Sequence, residues 1–318
     1  MSLRLVFGPV PSRRLGRSLG VNNIPPKHCT YSCVYCQVGR TPRLEVERRQ
    51  FYDWRGVVSE VVKAVRRVGA ENIDYVTFVP DGEPTLDINL GREIRGVKEE
   101  TGLSVAVLTN GSLLHREDVR DDLYWADTVS IKVDAAAEDT YRKTNRPHPT
   151  LRLDVVIEGL QEFAAAYNGR VITETMLVRG LNDSEHEMEG IARLVAELKP
   201  ATAYVAVPVR PPAEKWVEPP SEEVLVTAYM VFERYLPGRV RLLASCEEGE
   251  FGRLTGDPVR DILLVTAVHP MRIDHARRLL EKGGLDPDEA LAKLKREGKI
   301  VVVEYGGQRF IVRKHRAQ

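Results

Sequence analysis

The stretch Lys27-His28-Cys29-Thr30-Tyr31-Ser32-Cys33-Val34-Tyr35-Cys36 places three of the chain's four cysteines within one turn of loop. The fourth, Cys246, stands far away. Iron–sulfur clusters are normally held by four cysteine thiolates. Three close thiolates without a close fourth make a ligand set one short, so a cluster held here keeps one iron open to another ligand. A disulfide framework is the poorer reading. Arg4, Arg13, Arg14 and Arg17 break any apolar signal segment near the start, and in a reducing compartment clustered cysteines bind metals or do chemistry. A structural zinc ion on the three cysteines and His28 competes. His28 directly adjoins Cys29, which suits one tetrahedral ion badly, and zinc sites favour two separated pairs.

Working outward from this loop, short Val/Ile-rich runs alternate with amphipathic ones. Strands are expected at 18–22, 73–79, 104–109, 128–133, 171–178 and 203–207. Helical patterns fall between and after them at 54–68, 88–100, 116–123, 153–167, 185–198 and 222–235. Such alternation predicts βαβ units and a parallel sheet covered on both faces. Six units are too few for a closed eight-stranded barrel, so the expectation is an α/β fold forming a partial six-module (βα) barrel. The cysteine loop follows the first strand, at the carboxyl end where parallel α/β folds bind ligands.

Further motifs stand at successive strand ends. After the second comes Pro80-Asp81-Gly82-Glu83-Pro84, after the third Asn110-Gly111, and on the fourth Lys132-Val133-Asp134. Strand alternation sends Lys132 and Asp134 to one face, where buried charge is costly unless paired or liganded. The fifth strand carries Glu174 and Met176 in the same alternation.

The C-x3-C-x2-C spacing, the aromatic Tyr35 before its last cysteine and the Gly82-Glu83 pair together resemble the radical SAM superfamily. That resemblance implies one 4Fe–4S cluster on Cys29, Cys33 and Cys36, with S-adenosylmethionine (SAM) on the open iron. It further implies cofactor contacts from Tyr35, Gly82, Glu83, Asn110, Lys132, Asp134, Glu174 and Met176. Tyr35 and Met176 suit adenine, the backbone at Gly82-Glu83 the SAM amino group, Lys132 and Asp134 its carboxylate and ribose, and Glu174 a polar contact inside the barrel. An electron donor such as a ferredoxin or flavodoxin is implied as a partner. Ordinary packing or pairing is the competing reading for each of these side chains.

The opening Phe7-Gly8-Pro9-Val10-Pro11-Ser12-Arg13-Arg14-Leu15-Gly16-Arg17 and the later Val207-Pro208-Val209-Arg210-Pro211-Pro212-Ala213-Glu214 are similar to a radical SAM subgroup near the wyosine tRNA synthases. They make Arg13, Arg14 and Arg210 candidates for substrate binding, since guanidinium suits phosphate and carboxylate. Wyosine synthases proper carry further cysteines for a second cluster, which Cys246 alone does not supply.

After about residue 251 the texture changes. Gly252–Pro258 reads as a linker. Helices are expected at 259–268, at 273–282 and from Asp286-Pro287 to Glu297-Gly298, then a hairpin of 300–305 and 309–312 turning at Gly306-Gly307. The expected organisation is thus a barrel over 1–251 and a small winged-helix-like domain over 258–318. The basic residues Arg309, Arg313, Lys314, His315 and Arg316 suit an RNA partner, whereas the acidic opening Asp286-Pro287-Asp288-Glu289 suits a groove poorly, and protein or peptide binding and a structural or dimerising role compete with RNA.

The 46 Lys and Arg balance 46 Asp and Glu, so no global polyanion-binding charge exists and nucleic-acid affinity would come from a local patch. No apolar run is long enough to cross a bilayer, and the chain reads as soluble and cytoplasmic. High Arg, Glu and Val content hints at a thermophile. The function expected is reductive cleavage of SAM to a 5′-deoxyadenosyl radical for hydrogen abstraction, with tRNA modification as the expected context. The alternatives are an enzyme acting on a protein or peptide and a non-catalytic, metal-stabilised nucleic-acid-binding regulator.

Overall fold

The computed structural model describes residues 5–245, 249 and 251–313. Its main sheet has eight strands in strict sequence order: β1 (Val6–Ser12), β2 (Gly16–Val21), β3 (Tyr75–Phe78), β4 (Val105–Thr109), β5 (Thr128–Lys132), β6 (Arg170–Met176), β7 (Thr202–Ala206) and β8 (Val240–Leu243). β1 pairs antiparallel with β2, and every later pairing is parallel. β1 and β8 are the two edges, so the curled sheet stays an open part-barrel.

Between the parallel strands run α1 (Trp54–Val68), α2 (Leu90–Thr101), α3 (Glu117–Leu123), α4 (Glu138–Thr144), α5 (Leu153–Ala166), α6 (Glu185–Glu197) and α7 (Glu222–Tyr235). Their apolar stripes cover the outer face of the sheet. Val57, Val61, Ile94, Val97, Phe163 and Ile191 join Val76, Val107, Val129 and Val205 in one buried core. The six expected strands correspond to β2–β7, flanked by two strands that sequence reading passed over. β1 contains Gly8, Pro9 and Pro11, which read as breakers but are tolerated on an edge strand. β8 is four residues long with Arg241 inside it. The short α4 was also unexpected, because only Tyr141 and Thr144 of its seven residues are buried and no apolar period forms.

The chain ends in α8 (Pro258–Val268), β9 (Met271–Arg272), α9 (Ile273–Lys282), α10 (Pro287–Arg296), β10 (Ile300–Tyr305) and β11 (Gln308–Arg313). The strands form a small sheet in the order β10-β11-β9, an arrangement of three helices and a wing consistent with the winged-helix expectation. Its core residues Ile262, Val265, Met271, Leu280 and Ile311 pack with Phe7 and Val10 of β1. Gly252 N donates to Pro9 O at 2.7 Å, and Tyr305 Oη donates to Pro208 O at 3.0 Å. The C-terminal segment is therefore docked along the β1 edge of the barrel. Lys314, His315 and Arg316 lie outside the described residues, as do Arg4 and Cys246.

Candidate active site

The cysteine loop leaves β2 and is held mainly by its backbone. Lys27 N donates to Asp81 O (3.1 Å), and Glu83 N to His28 O (2.9 Å), which joins the loop to the end of β3. On its other side Val34 N donates to Thr144 O (3.0 Å), His148 N to Thr30 O (2.8 Å) and Glu214 N to Val34 O (3.1 Å). The contact at Gly82 leaves no room for a side chain: a Cβ there would lie 2.0 Å from His28 O. This close approach explains the glycine without appeal to any unusual dihedral.

A cavity of about 290 Å3 opens at the carboxyl ends of β3–β7. It is lined by Cys29, Cys33, Cys36, Tyr35, Gly82, Glu83, Asn110, Lys132, Glu174, Met176, Arg13, Arg14 and Arg210. Asp134 is the one expected site residue that does not line it. β5 ends at Lys132, so the strand alternation that placed Asp134 beside Lys132 no longer applies two residues on. Its carboxylate accepts from Tyr35 Oη, from Asn145 Nδ2 (2.8 Å) and from Met176 N (2.8 Å). Asp134 thus holds the wall of the cavity from behind, and Lys132 pairs with Glu174 rather than with it.

Glu174 takes Lys132 Nζ at 2.7 Å on one oxygen and the Arg14 guanidinium on the other. Lys132 Nζ also lies 4.9 Å from the centroid of the Tyr35 ring, over its face. Burial lowers the Lys132 pKa, against the pull of Asp134 and Cys33. Burial likewise lowers Arg14 to about 10, a value that leaves it cationic at neutral pH. Glu83 is 1% exposed and ties β3 to β4: it accepts from Thr85 N, Thr85 Oγ1, Thr109 Oγ1 and Asn110 N at 2.6–3.2 Å. Burial raises its pKa, and those four donors oppose the rise. Its side chain is committed to the scaffold, leaving the backbone of Gly82-Glu83 at the cavity wall.

Does this donor set fit an iron–sulfur cluster? Burial pushes the Cys33 thiol up to about 12, with Asp134 and Cys36 adding to it. Burial raises Cys29 further, helped by Glu83 and Cys33. Such thiols ionise only when a cation compensates them, and a metal deprotonates coordinating thiols outright. Three N–H groups already approach the sulfurs: Tyr31 N (3.5 Å) and Asn110 Nδ2 (3.7 Å) at Cys29 Sγ, and Asn145 Nδ2 (3.6 Å) at Cys33 Sγ. Hydrogen bonds to sulfur are among the features that set cluster potentials. Among the described residues, no three His, Cys, Asp or Glu side chains converge as the ligands of a single ion would. A four-iron cluster asks for a wider arrangement, because each thiolate takes its own iron. His28 faces away from the cavity, with Nδ1 3.0 Å from Glu45 Oε1 and its ring against Phe51. Three cysteine sulfurs that already attract N–H groups suit the thiolate ligand set of a cluster, and His28, turned to Glu45 and Phe51, is not placed to complete a zinc site with them.

Sequence reading missed four contributors. Asn145 reaches Cys33 and Asp134 from the end of α4, an element without a periodic signal. Gln37 bridges the loop to distant parts, accepting from Arg210 Nη1 at 2.8 Å and donating to Val268 O at 3.2 Å. Val268 and His269 of the C-terminal segment line the cavity as well. His269 Nδ1 lies 3.1 Å from Pro270 O. Burial, then the nearby Arg210, holds its pKa well below the ordinary histidine value, so the ring is neutral at physiological pH.

Comparison with known proteins accords with this geometry. A family model described as the radical SAM superfamily matches residues 23–194. A UPF0026 protein of Methanocaldococcus jannaschii is 42% identical over 312 residues, covering 98% of this chain and 96% of that protein. A dual-specificity RNA methyltransferase RlmN of Methylobacterium sp. is 26% identical over 187 residues, covering 52% of this chain and 43% of that one. The crystal structure of a radical SAM methyltransferase from Sphaerobacter thermophilus superposes with a TM-score of 0.54 at 20% identity, covering 71% of this chain and 66% of that one. This last likeness is one of fold. Membership in an enzyme family sets aside the non-catalytic regulator. With the family model spanning more than half of its length and a near-full-length UPF0026 relative, the chain belongs to the radical SAM superfamily and is an enzyme of that kind.

Proposed function

We propose that the enzyme holds one 4Fe–4S cluster on Cys29, Cys33 and Cys36, binds SAM at the open iron, and abstracts a hydrogen atom from an RNA substrate. The observation that carries this reading is the opening of all three cysteines and the Gly82-Glu83 strand end onto one cavity. When bound, the cluster supplies an electron that breaks the sulfonium–ribose bond of SAM, giving methionine and a 5′-deoxyadenosyl radical. The chain's own residues bind, orient and exclude water. The backbone at Gly82-Glu83 receives the SAM amino group. Tyr35 and Met176 flank the adenine, and Asn110 stands beside Cys29. Lys132, already paired with Glu174, offers its remaining donors to the SAM carboxylate or ribose. Asp134 acts only through Tyr35 and Met176, as a positioning residue. Arg13, Arg14 and Arg210 face the substrate.

RNA is favoured as substrate by the partial likeness to RlmN and by the resemblance of the Arg13-Arg14 and Arg210 segments to sequences near the wyosine tRNA synthases. The basic end of the C-terminal segment, proposed as a recognition module over 258–318, is the macromolecular contact. A ferredoxin or flavodoxin delivers the electron. Anaerobically reconstituted protein given dithionite and SAM should release 5′-deoxyadenosine, and deuterated RNA from the native host should pass deuterium into it. Absence of 5′-deoxyadenosine from iron-loaded protein sinks the reading. Its formation without deuterium transfer from RNA moves the substrate to a protein or small molecule.

A further inference from the structure

The loop that carries the cysteines is covered from outside by two segments. One is the turn after α4, where Val34 N donates to Thr144 O. The other is 214–217, where Glu214 N donates to Val34 O and Val217 packs with Val34 and Tyr35. The outward surface of these segments combines an exposed aromatic ring with several cations. Trp216 is 53% exposed. The Arg40 and Arg146 side chains are 68% and 40% exposed, and both reach the single carboxylate of Glu214, at 2.6 and 2.5 Å. Two guanidiniums share one buried acid, and Lys215 stands exposed next to it. The patch carries Arg40, Arg146 and Lys215 against Glu214, with the nearby Glu218 paired to Arg179, so its net charge is positive; it is centred on an exposed tryptophan and packs on Val34 and Tyr35 of the cysteine loop. Exposed tryptophan and arginine are the residue types that dominate interface energetics.

We propose that Trp216, Lys215, Arg40 and Arg146 form the docking site for an acidic one-electron carrier protein. The inference rests on the cluster assignment proposed above. The charge of the patch selects an acidic partner and steers its approach. Its place over Val34 and Tyr35 sets it directly against the cysteine loop. In the step served, one electron leaves the reduced carrier, which becomes oxidised, and enters the cluster; no proton or group is transferred. The Arg40–Glu214–Arg146 bridge keeps the patch rigid, so docking orders few side chains.

The test measures binding of an acidic flavodoxin to the iron-loaded holoenzyme by fluorescence anisotropy, together with bleaching of the cluster by reduced flavodoxin and, separately, by dithionite. Trp216→Ala should raise the Kd about tenfold or more. Lys215→Glu, which breaks no described ion pair, should raise it severalfold and reduce its salt dependence. Both variants should keep their iron and bleach with dithionite at the parent rate. Trp125→Ala, removing another exposed tryptophan on a different face, should bind flavodoxin as the parent does. Unchanged Kd in both patch variants overturns the proposal. So does an equal loss of the dithionite reaction, which would make the patch part of the cluster's scaffold. A parent that holds iron and cleaves SAM with dithionite but does not bind flavodoxin overturns the docking site and leaves the chemistry standing; a parent that holds no iron overturns both.

Discussion

The cysteine loop and the C-terminal segment are both fastened to the barrel, by opposite means. The loop is held by backbone hydrogen bonds to the end of β3, to the turn after α4 and to the 214–217 segment. The C-terminal segment is held by apolar side chains, with Phe7 and Val10 inside its core. Backbone bonds fix position to fractions of an ångström and leave the side chains of the loop free to act as ligands. Apolar packing supplies more stabilisation but less positional detail. The loop should therefore lose function under small geometric insults that spare the fold, whereas the C-terminal contact should fail as a matter of stability.

The largest effect expected is on metal content. Cys33→Ala should lower iron from about four per chain to nearly none, and Cys246→Ala should leave it unchanged. Loss of iron in the Cys246 variant would overturn the three-cysteine assignment. Removing residues 258–318 tests the other side of the comparison. It uncovers Phe7 and Val10, so the truncated barrel should be insoluble or lose much of its thermal stability. A soluble truncation that retains iron and cleaves SAM would instead establish the segment as an autonomous recognition module. Phe7→Ala gives the graded version, an expected loss of about 3–5 kcal/mol in urea unfolding with iron retained. Gly82→Ala should show the reverse pattern. Its Cβ must displace His28 or Ile24, so iron retention should fall severalfold while the melting temperature drops only modestly. Equal loss of both would mean that loop and fold are not separable.

The smallest effect concerns pH. Asp87 pairs through its backbone with Arg49, just beyond the loop. Its carboxyl is raised to about 6, chiefly by burial. A raised acid is protonated in the fold while still ionised in the unfolded chain. Its contribution is fully present below the unfolded value of 3.8 and is lost as pH rises through about 6. Asp87→Asn should therefore stabilise the protein at pH 7.5 by up to about 3 kcal/mol and by only about 1 kcal/mol at pH 4.5, read as the difference in melting temperature. The same gain at both pH values would show that the carboxyl is not the cause.

Much of the fold was legible because the signals were periodic. β2–β7 and the helices between them carry buried apolar runs whose spacing no other element explains. The cysteine loop was legible from thiol spacing, and Gly82 from its place at a strand end. What escaped notice had no local signal. β1 hides behind its prolines, and α4 has a polar surface almost all round. His269 reaches the cavity, and Asn145 reaches Cys33 and Asp134, only because tertiary packing brings distant segments together, while Gln37, next to Cys36, shows its partners Arg210 and Val268 only in the fold. Asp134 was assigned to the cavity by carrying strand alternation two residues past the end of β5. The acid instead turned into the protein, where Tyr35, Asn145 and Met176 satisfy it.

The place of β1 has a consequence for biosynthesis. This strand is made before the rest of the barrel, yet one of its two apolar partners, the α8–β11 segment, is made after it. Phe7 and Val10 meet Ile262 and Ile311 only after the whole barrel has been synthesised. Contacts of such high sequence separation form late and slowly. Until then β1 presents apolar side chains to solvent, and the nascent barrel is in its most aggregation-prone state. Soluble yield should accordingly depend on the time needed to complete the α8–β11 segment, and slowing translation there should lower it more than slowing translation anywhere in the barrel.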